Sequence, residues 1–480
     1  MDVREAQETL GALLLDPAHT HVTELAAACL RAVDAGNLAG LLGDWSQRER
    51  YHGIYQQAAA VLAPAPLAVW RVSRVEKHEL SALRTTPGAV ANDDGWSLYA
   101  RAVAQALHEE RREGFRSYFA EWGGPRRLEV GDPVPVPTRV RVDEIYAEPH
   151  LKCCPSPDLL TGPAEFLPGG YRGLPSLRLF EPARDCPADV FLDPSLGESV
   201  CPFTGGDGAA GKLRIIVPAP DLTAAFEVDS GTDERGELGF ANIRAKDPDG
   251  LRDLIVAEVK HGADKAALVI MPELASIPAA DETIDRLHAN TGIGTLQLLV
   301  GGSAWRQAES GSLPTNRARI WPRGRGPHDH DKYAWFRNKK LGTELIARGR
   351  PRVTIVVGPR VSYTVLICKD ALEPWVPHLL QELRVRLVLI PSCNPTVETF
   401  LARAKSLAEL SWTTVVVANI PNEPSATPEY GLVVRPASPK QKGLPATSEH
   451  LLIAHNHSIS FTIDLRMPGR FDLDRTVLRT

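Results

Sequence analysis

The sequence predicts an α/β protein, in which alternating strands and helices from about residue 211 onward follow a mainly α-helical N-terminal domain. Two patterns carry this. From Lys212 on, short apolar runs rich in Val, Ile and Leu alternate with helix-length segments, as in sheets covered by helices. Before about residue 125, apolar residues recur at three- and four-residue steps and no convincing strand interrupts them. A chain of 480 residues also exceeds the size at which one hydrophobic core keeps growing, so more than one domain is expected. The predicted division is a helical domain at 1–125, a Pro/Gly-rich connecting region at 126–210 with room for a small β-rich subdomain, and an α/β domain at 211–480.

In the first part, residues 22–30 form an Ala- and Leu-rich helical segment. The clearest periodicity runs from Trp96 to Trp122: Leu98, Tyr99, Ala102, Val103, Ala106 and Leu107, then Phe115, Tyr118, Phe119 and Trp122. This is one long amphipathic helix or two, and its charge run Glu109-Glu110-Arg111-Arg112-Glu113 reads as a solvated face. The texture then changes to proline and glycine, as at 132–137 and 167–171. In the α/β part, 213–217 is the first strand and 249–259 a helix. Strands end at Glu273 and near Gly301, 316–321 leads into the next region, and 333–336 looks like a short strand. Residues 361–368 form the strand that ends at Cys368. A short helix at 377–383, a strand at 387–392, a helix at 400–411 and a strand at 414–419 complete the pattern, with no internal repeat.

Two strand ends carry chemistry. The apolar run Val361-Ser362-Tyr363-Thr364-Val365-Leu366-Ile367 delivers Cys368 to a turn, and Ala267-Leu268-Val269-Ile270-Met271-Pro272 does the same for Glu273. Between them lies a lysine-rich stretch containing Lys332, Lys339, Lys340 and Glu344. A free thiol is mostly protonated at neutral pH, so a nucleophilic cysteine needs a nearby base or cation, and Glu–Lys surroundings are expected to depress the pKa of Cys368. Glu273 would be the base. Attack on an amide or nitrile carbon creates negative charge on the former carbonyl oxygen or nitrogen. A lysine ammonium and the backbone N–H after Cys368 would meet that charge, one such donor being worth roughly 3–4 kcal/mol. Taken singly, a cysteine at a strand end is usually a small core residue; the order of the three elements is what gives them meaning.

That order, together with Arg403-Ala404 in a helix leading to a valine-rich strand ending in Ala418-Asn419, resembles the nitrilase or carbon-nitrogen hydrolase superfamily over about 211–480. The resemblance implies a four-layer α-β-β-α nitrilase-like sandwich. It implies a thiol hydrolase that cleaves a non-peptide carbon-nitrogen bond, amide or carbamoyl rather than nitrile, through a covalent acyl-enzyme. A small-molecule amide-type substrate, no metal or organic cofactor and a homo-oligomer follow from the same resemblance. Glu273 and Cys368 fall on the family's motif positions, and Cys368-Lys369-Asp370 is similar to its more divergent members. The lysine stays open. Lys332 suits the spacing from Gly324 and to Glu344, the glutamate expected to orient lysine or substrate, whereas a strand at 333–336 would favour Lys339 or Lys340.

A net charge of −5 argues against a surface that coats nucleic acid or binds anionic lipid avidly. No apolar run approaches the length needed to span a bilayer. The acidic amino terminus lacks the features of a secretory signal, and seven irregularly spaced cysteines fit a reducing compartment, so the expected location is cytoplasmic. Gly206-Asp207-Gly208-Ala209-Ala210-Gly211-Lys212 looks like a phosphate loop but continues with Leu213 and a strand, where Ser or Thr and a helix are needed. Arg348-Gly349-Arg350-Pro351-Arg352 reads as a turn rather than a minor-groove hook. His328-Asp329-His330-Asp331, read as loop, and Cys153, Cys154, Cys186 and Cys201 match no standard zinc spacing. Cys393, at another strand end, is the main competitor as a reactive thiol. The reading from another class is a catalytically degenerate nitrilase-like scaffold or regulated effector, whose helical N-terminal domain binds a protein partner or senses a signal.

Overall fold

The computed structural model describes residues 3–15, 20–33, 44–63, 74–75, 77–85, 93–110, 118–119, 122, 124–135, 177–180, 186–194, 212–220, 222, 225–232, 236, 238–264, 266–291, 296–306, 313–323, 325–338, 342–347, 350–357, 362–383, 385–411, 413–421, 427–437, 447–453, 458–464 and 476–478. The chain divides into two compact units, Met1–Pro182 and Ala183–Thr480. Much of the expected connecting region, the phosphate-loop look-alike, Arg348, Gly349, Cys153, Cys154, Cys201, Lys339 and Lys340 lie outside the described residues.

In the first unit, helices α1 (Val3–Leu15), α2 (Val22–Ala32), α3 (Trp45–Leu62), α4 (Lys77–Thr85) and α5 (Asp93–Glu110) are described. α2 is buried along almost its whole length, and His21 Nδ1 caps it by accepting from the Thr23 N–H at 3.1 Å. The periodic residues Leu98, Val103, Ala106 and Leu107 are fully buried in α5, which packs on α2 and α3. That helix is described as far as Glu110, and Tyr118 and Phe119 are helical; the residues between them lie outside the described residues. Short strands do occur here: β1 (Thr20–His21) pairs with β2 (Arg74–Val75), β3 is Arg126–Arg127, and β4 (Pro133–Pro135) pairs with β5 (Leu177–Leu179). Two-residue pairings carry no periodicity, which is why the sequence pattern showed none before residue 125.

The second unit begins with β6 (Asp189–Asp193), β7 (Lys212–Val217) and the hairpin β8 (Phe226–Thr232) and β9 (Leu238–Ala245). Helix α6 (Pro248–Ala263), capped by Asp247, leads to β10 (Leu268–Ile270), and α7 (Pro278–Thr291) to β11 (Leu298–Arg306). Then come β12 (Thr315–Pro322), β13 (His328–Asp331), β14 (Arg337–Asn338), β15 (Gly342–Glu344), β16 (Arg352–Val357) and β17 (Ser362–Val365). A 3-10 turn, Cys368–Leu372, precedes α8 (Val376–Glu382), β18 (Leu387–Cys393), α9 (Glu398–Ser411) and β19 (Thr414–Ile420). The hairpin β20 (Gly431–Ala437) and β21 (Thr447–Ile453), then β22 (Ser458–Asp464) and β23 (Thr476–Leu478), complete the unit.

One sheet runs β13-β12-β11-β10-β7-β22-β23, and in a second the order within this unit is β21-β20-β19-β18-β17-β16-β6. A small sheet, β14-β15-β9-β8, carries the hairpin. Strand alternation splits the apolar residues between two clusters. Ile215, Ile270 and Val300 of the first sheet share one apolar interior with Val365, Leu389 and Val416 of the second. Their neighbours Ile216, Val269 and Leu299 pack with Leu251, Ile255 and Val259 of α6 and Ala280 and Ile284 of α7. Helix α9 lies on β19, β20 and β21.

Residues 333–336 are not a strand; the strand before Lys332 is β13, the polar His-Asp-His-Asp segment read as loop. Cross-strand ion pairs make that possible. Asp331 binds Arg317 of β12 at 2.6 Å and Asp329 approaches Arg319 at 3.5 Å, so polar side chains on a solvent-facing edge strand find partners on its neighbour. Strands β20 to β23 also went unread in the sequence.

Candidate active site

Strand register brings the sequence-predicted residues together. β17 and β18 run parallel with Val365 opposite Leu389, so Cys368, three residues on, lies level with Ser392. β10 and β11 run parallel with Ile270 opposite Val300, and the pairing resumes as a bridge between Glu273 and Ser303. Between those points β11 bulges at Gly301-Gly302. Gly302 has φ +79°, and a Cβ there would sit 2.0 Å from the Pro272 carbonyl oxygen, so only glycine lets β11 pass beneath the Pro272-Glu273 loop. On β12, Asn316 pairs with Trp305 of β11, and its carbonyl accepts from the Lys332 N–H at 2.8 Å just past the end of β13. Gly342, with φ +85° and room for no Cβ beside the Leu238 carbonyl, opens β15, which lies against β9 and runs to Glu344.

Lys332 Nζ stands 2.9 Å from Glu273 Oε1 and 2.8 Å from Glu344 Oε2, all three side chains being buried. Asn316 Nδ2 donates to both carboxylates, at 2.7 Å to Glu273 Oε1 and 3.1 Å to Glu344 Oε1. The Phe336 N–H fixes Glu344 Oε2 at 3.1 Å. Burial by itself pulls the Lys332 ammonium toward neutrality, but the two facing carboxylates outweigh it and hold its pKa well above the ordinary lysine value. Burial, then the charge of Glu273, raises Glu344 against the opposing pull of Lys332.

Cys368 is 2% exposed and has φ +48°; it and Leu274, next to Glu273 with φ +70°, are the non-glycine residues in left-handed conformation among the described residues. Such strain, held beside both the thiol and the carboxylate, marks a site that the surrounding packing over-determines. Asn394 Nδ2 donates to Cys368 Sγ at 3.0 Å and to Ser392 Oγ at 2.7 Å, and Ser392 Oγ lies 3.7 Å from the sulfur. Asn419, the end of the Ala-Asn strand, holds Asn394 in turn: its Oδ1 accepts from the Asn394 N–H at 2.9 Å and its Nδ2 donates to the Asn394 carbonyl at 3.0 Å. Burial first, and then the charge of Glu273, push the Cys368 thiol up to about 12, more than Lys332 and the donors around the sulfur can offset. The expected depression is therefore corrected: a carboxylate and a missing hydration shell outweigh one lysine. Burial also pushes the Cys393 thiol well above its ordinary value.

Asp370, fully buried two residues after Cys368, ties the lysine to the cysteine turn. Its Oδ1 accepts from the N–H groups of Tyr333 at 3.1 Å and Ala334 at 2.8 Å, the two residues after Lys332. His330 Nε2 stands 3.6 Å from Asp370 Oδ2, outside hydrogen-bond reach. Among the described residues no group of three or more His, Cys, Asp or Glu side chains could hold a metal ion. No described helix is long and apolar enough to cross a membrane.

Beside the charged cluster lies a cavity of about 150 Å³. Phe226, Phe240 and Ile243 of the hairpin, with Trp305, Phe336 and Ile420, form its apolar wall, and Glu273, Lys332, Glu344 and Cys393 also line it. Asn316, Ser392 and Asn394 were missed in the sequence. The last two flank Cys393 and follow from the register of adjacent parallel strands; Asn316 has no local signal, because its role depends on pairing with the segment that ends at Lys332.

No protein-family profile and no curated protein matches the chain. Solved structures do. An amidase of the nitrilase superfamily from Nesterenkonia AN1 is 16% identical over 50% of this chain and 90% of its own, with a TM-score of 0.33. Nit3 of Saccharomyces cerevisiae, a member of branch 10 of the nitrilase superfamily, is 17% identical over 55% of this chain and 85% of its own, with a TM-score of 0.31. The glutamine-dependent NAD+ synthetase of Acinetobacter baumannii is 15% identical over 53% of this chain, at a TM-score of 0.35, and the match spans 46% of the synthetase. At such identities and scores the chemistry has to be read from the side chains themselves. Structures of the nitrilase superfamily are what this chain is similar to.

Proposed function

We propose that the second unit is a thiol hydrolase cleaving a non-peptide carbon-nitrogen bond, amide or carbamoyl, through a Glu273–Lys332–Cys368 site. The observation that carries the reading is the buried ammonium of Lys332 held between Glu273 and Glu344, with Cys368 among the charges it feels. In the same reading the two sheets and their helices form a four-layer α-β-β-α sandwich, preceded by a mainly helical domain.

The thiol rests protonated, so its proton must leave as the bond to carbon forms. Cys368 Sγ attacks the carbonyl carbon while Glu273 takes the proton. The C=O pair moves onto oxygen, where Lys332 Nζ and the Lys369 N–H meet the charge. Collapse breaks the C–N bond, Glu273 returns the proton to the departing amine, and a thioester remains on Cys368. Water then attacks that carbon with Glu273 again as base; the C–S bond breaks, the acid leaves and the thiol recovers its proton. Glu344 and Asn316 keep Lys332 and Glu273 in register throughout, and Cys368 is left as it began.

The test is acyl-enzyme trapping: full-length protein is quenched during turnover of an amide and its peptides are mapped by mass. An acyl adduct on Cys368, lost in Cys368→Ala, is expected. Lys332→Ala should lower kcat by about 100- to 1000-fold, the usual cost of one oxyanion donor. An adduct on Cys393 instead, or amide turnover that survives Cys368→Ala, would sink this assignment; no turnover of any amide would leave the scaffold reading in front.

A further inference from the structure

We infer that the site takes amides whose acyl group is uncharged and apolar, of about benzene size; this rests on the hydrolase reading above. Three features of the cavity lead there. Its volume, about 150 Å³, matches that of apolar cavities that accept benzene. Beyond the charged cluster its wall is aliphatic and aromatic, Phe226, Val228, Phe240, Ile243, Phe336 and Ile420 among it. And the charged groups on it, one ammonium paired with two carboxylates, present no net positive charge to a carboxylate at the far end of an acyl chain.

An acyl chain ending in a carboxylate would lose its water against that wall and meet a cluster of one ammonium and two carboxylates, repelling it. A chain ending in an ammonium would lose its water against the same apolar residues. Each penalty is several-fold larger than what a methyl gains from burial.

Binding and turnover are measured separately, so the two readings can fail separately. Calorimetry on the full-length Cys368→Ala protein compares hexanamide and phenylacetamide with two charged counterparts, the monoamide of adipic acid and aminohexanamide. Both apolar amides are expected to bind at least about tenfold more tightly than either charged one. Equal or tighter binding of a charged amide overturns the inference, whatever the wild type hydrolyses. Ile243→Lys, which places a cation on the wall, should turn preference toward the adipic monoamide. Should Cys368→Ala fold poorly, protection of wild-type Cys368 from iodoacetamide by the same four amides gives the same ranking. Hydrolysis by the wild type reports on the hydrolase reading alone.

Discussion

At the scale of single residues, Glu273 acts on Cys368 in two opposed ways. As a charge it raises the thiol pKa, and in the proposed mechanism it is the base through which the thiol proton leaves. Glu273→Gln should therefore speed alkylation of Cys368 by iodoacetamide at fixed pH while it abolishes amide hydrolysis. Rates of both, measured side by side, check this, and a fall in both would show that the charge does not govern the thiol. The pH dependence has a definite sign. A thiol raised to about 12 carries less thiolate at every pH below that than an ordinary one, so wild-type alkylation should rise about tenfold per pH unit from 7 to 10 with no plateau near 9. A plateau near 9 would mean the thiol is not buried as described. Glu273 and Cys368 were legible in the sequence because each follows an apolar strand, and Glu344 through its spacing after the lysine-rich stretch. The thiol's protonation was not, since desolvation depends on what packs around it.

At the scale of elements, the bulge in β11 and the turn after β17 do the positioning. Gly302→Ala forces a Cβ into the Pro272 carbonyl at a left-handed φ, which costs about 1–2 kcal/mol for the backbone conformation before the clash is counted. It should lower the thermal midpoint and, by shifting Glu273, lower kcat more than it raises KM. Steady-state kinetics beside a melting curve separates the two, and a variant with normal kcat would show that the loop tolerates the change. Asp370 is a positioning residue. Asp370→Asn keeps an oxygen for the Tyr333 and Ala334 N–H groups, and Asp370→Ala leaves both without their acceptor. The Asn variant should retain most of kcat and the Ala variant lose it, measured with melting curves to confirm that both fold. Strand β13 shows why elements were harder to read than residues: its His-Asp-His-Asp sequence looks like loop until Arg317 and Arg319 on the neighbouring strand supply its partners.

At the scale of the whole molecule, stability of the second unit rests on the cluster shared by its two sheets. Leu389 is fully buried there, so Leu389→Ala should cost about 2–5 kcal/mol, read as a lower denaturation midpoint with activity per folded molecule unchanged. A cost below about 1 kcal/mol would mean that the interior repacks freely. The sequence by itself determined the alternation of strands and helices after residue 212, the ends at which Glu273 and Cys368 stand, and the Ala418-Asn419 strand end, because apolar periodicity and strand termini are local properties of the chain. Only the tertiary structure decided that Lys332 meets Glu273 and Glu344, that Asn316 bridges both, that Asn394 and Ser392 hold the sulfur, and that the cavity wall is apolar. Those contacts join residues up to 59 positions apart, as between Lys332 and Glu273, and strand order and register, which the chain's local pattern does not encode, determine which of them meet.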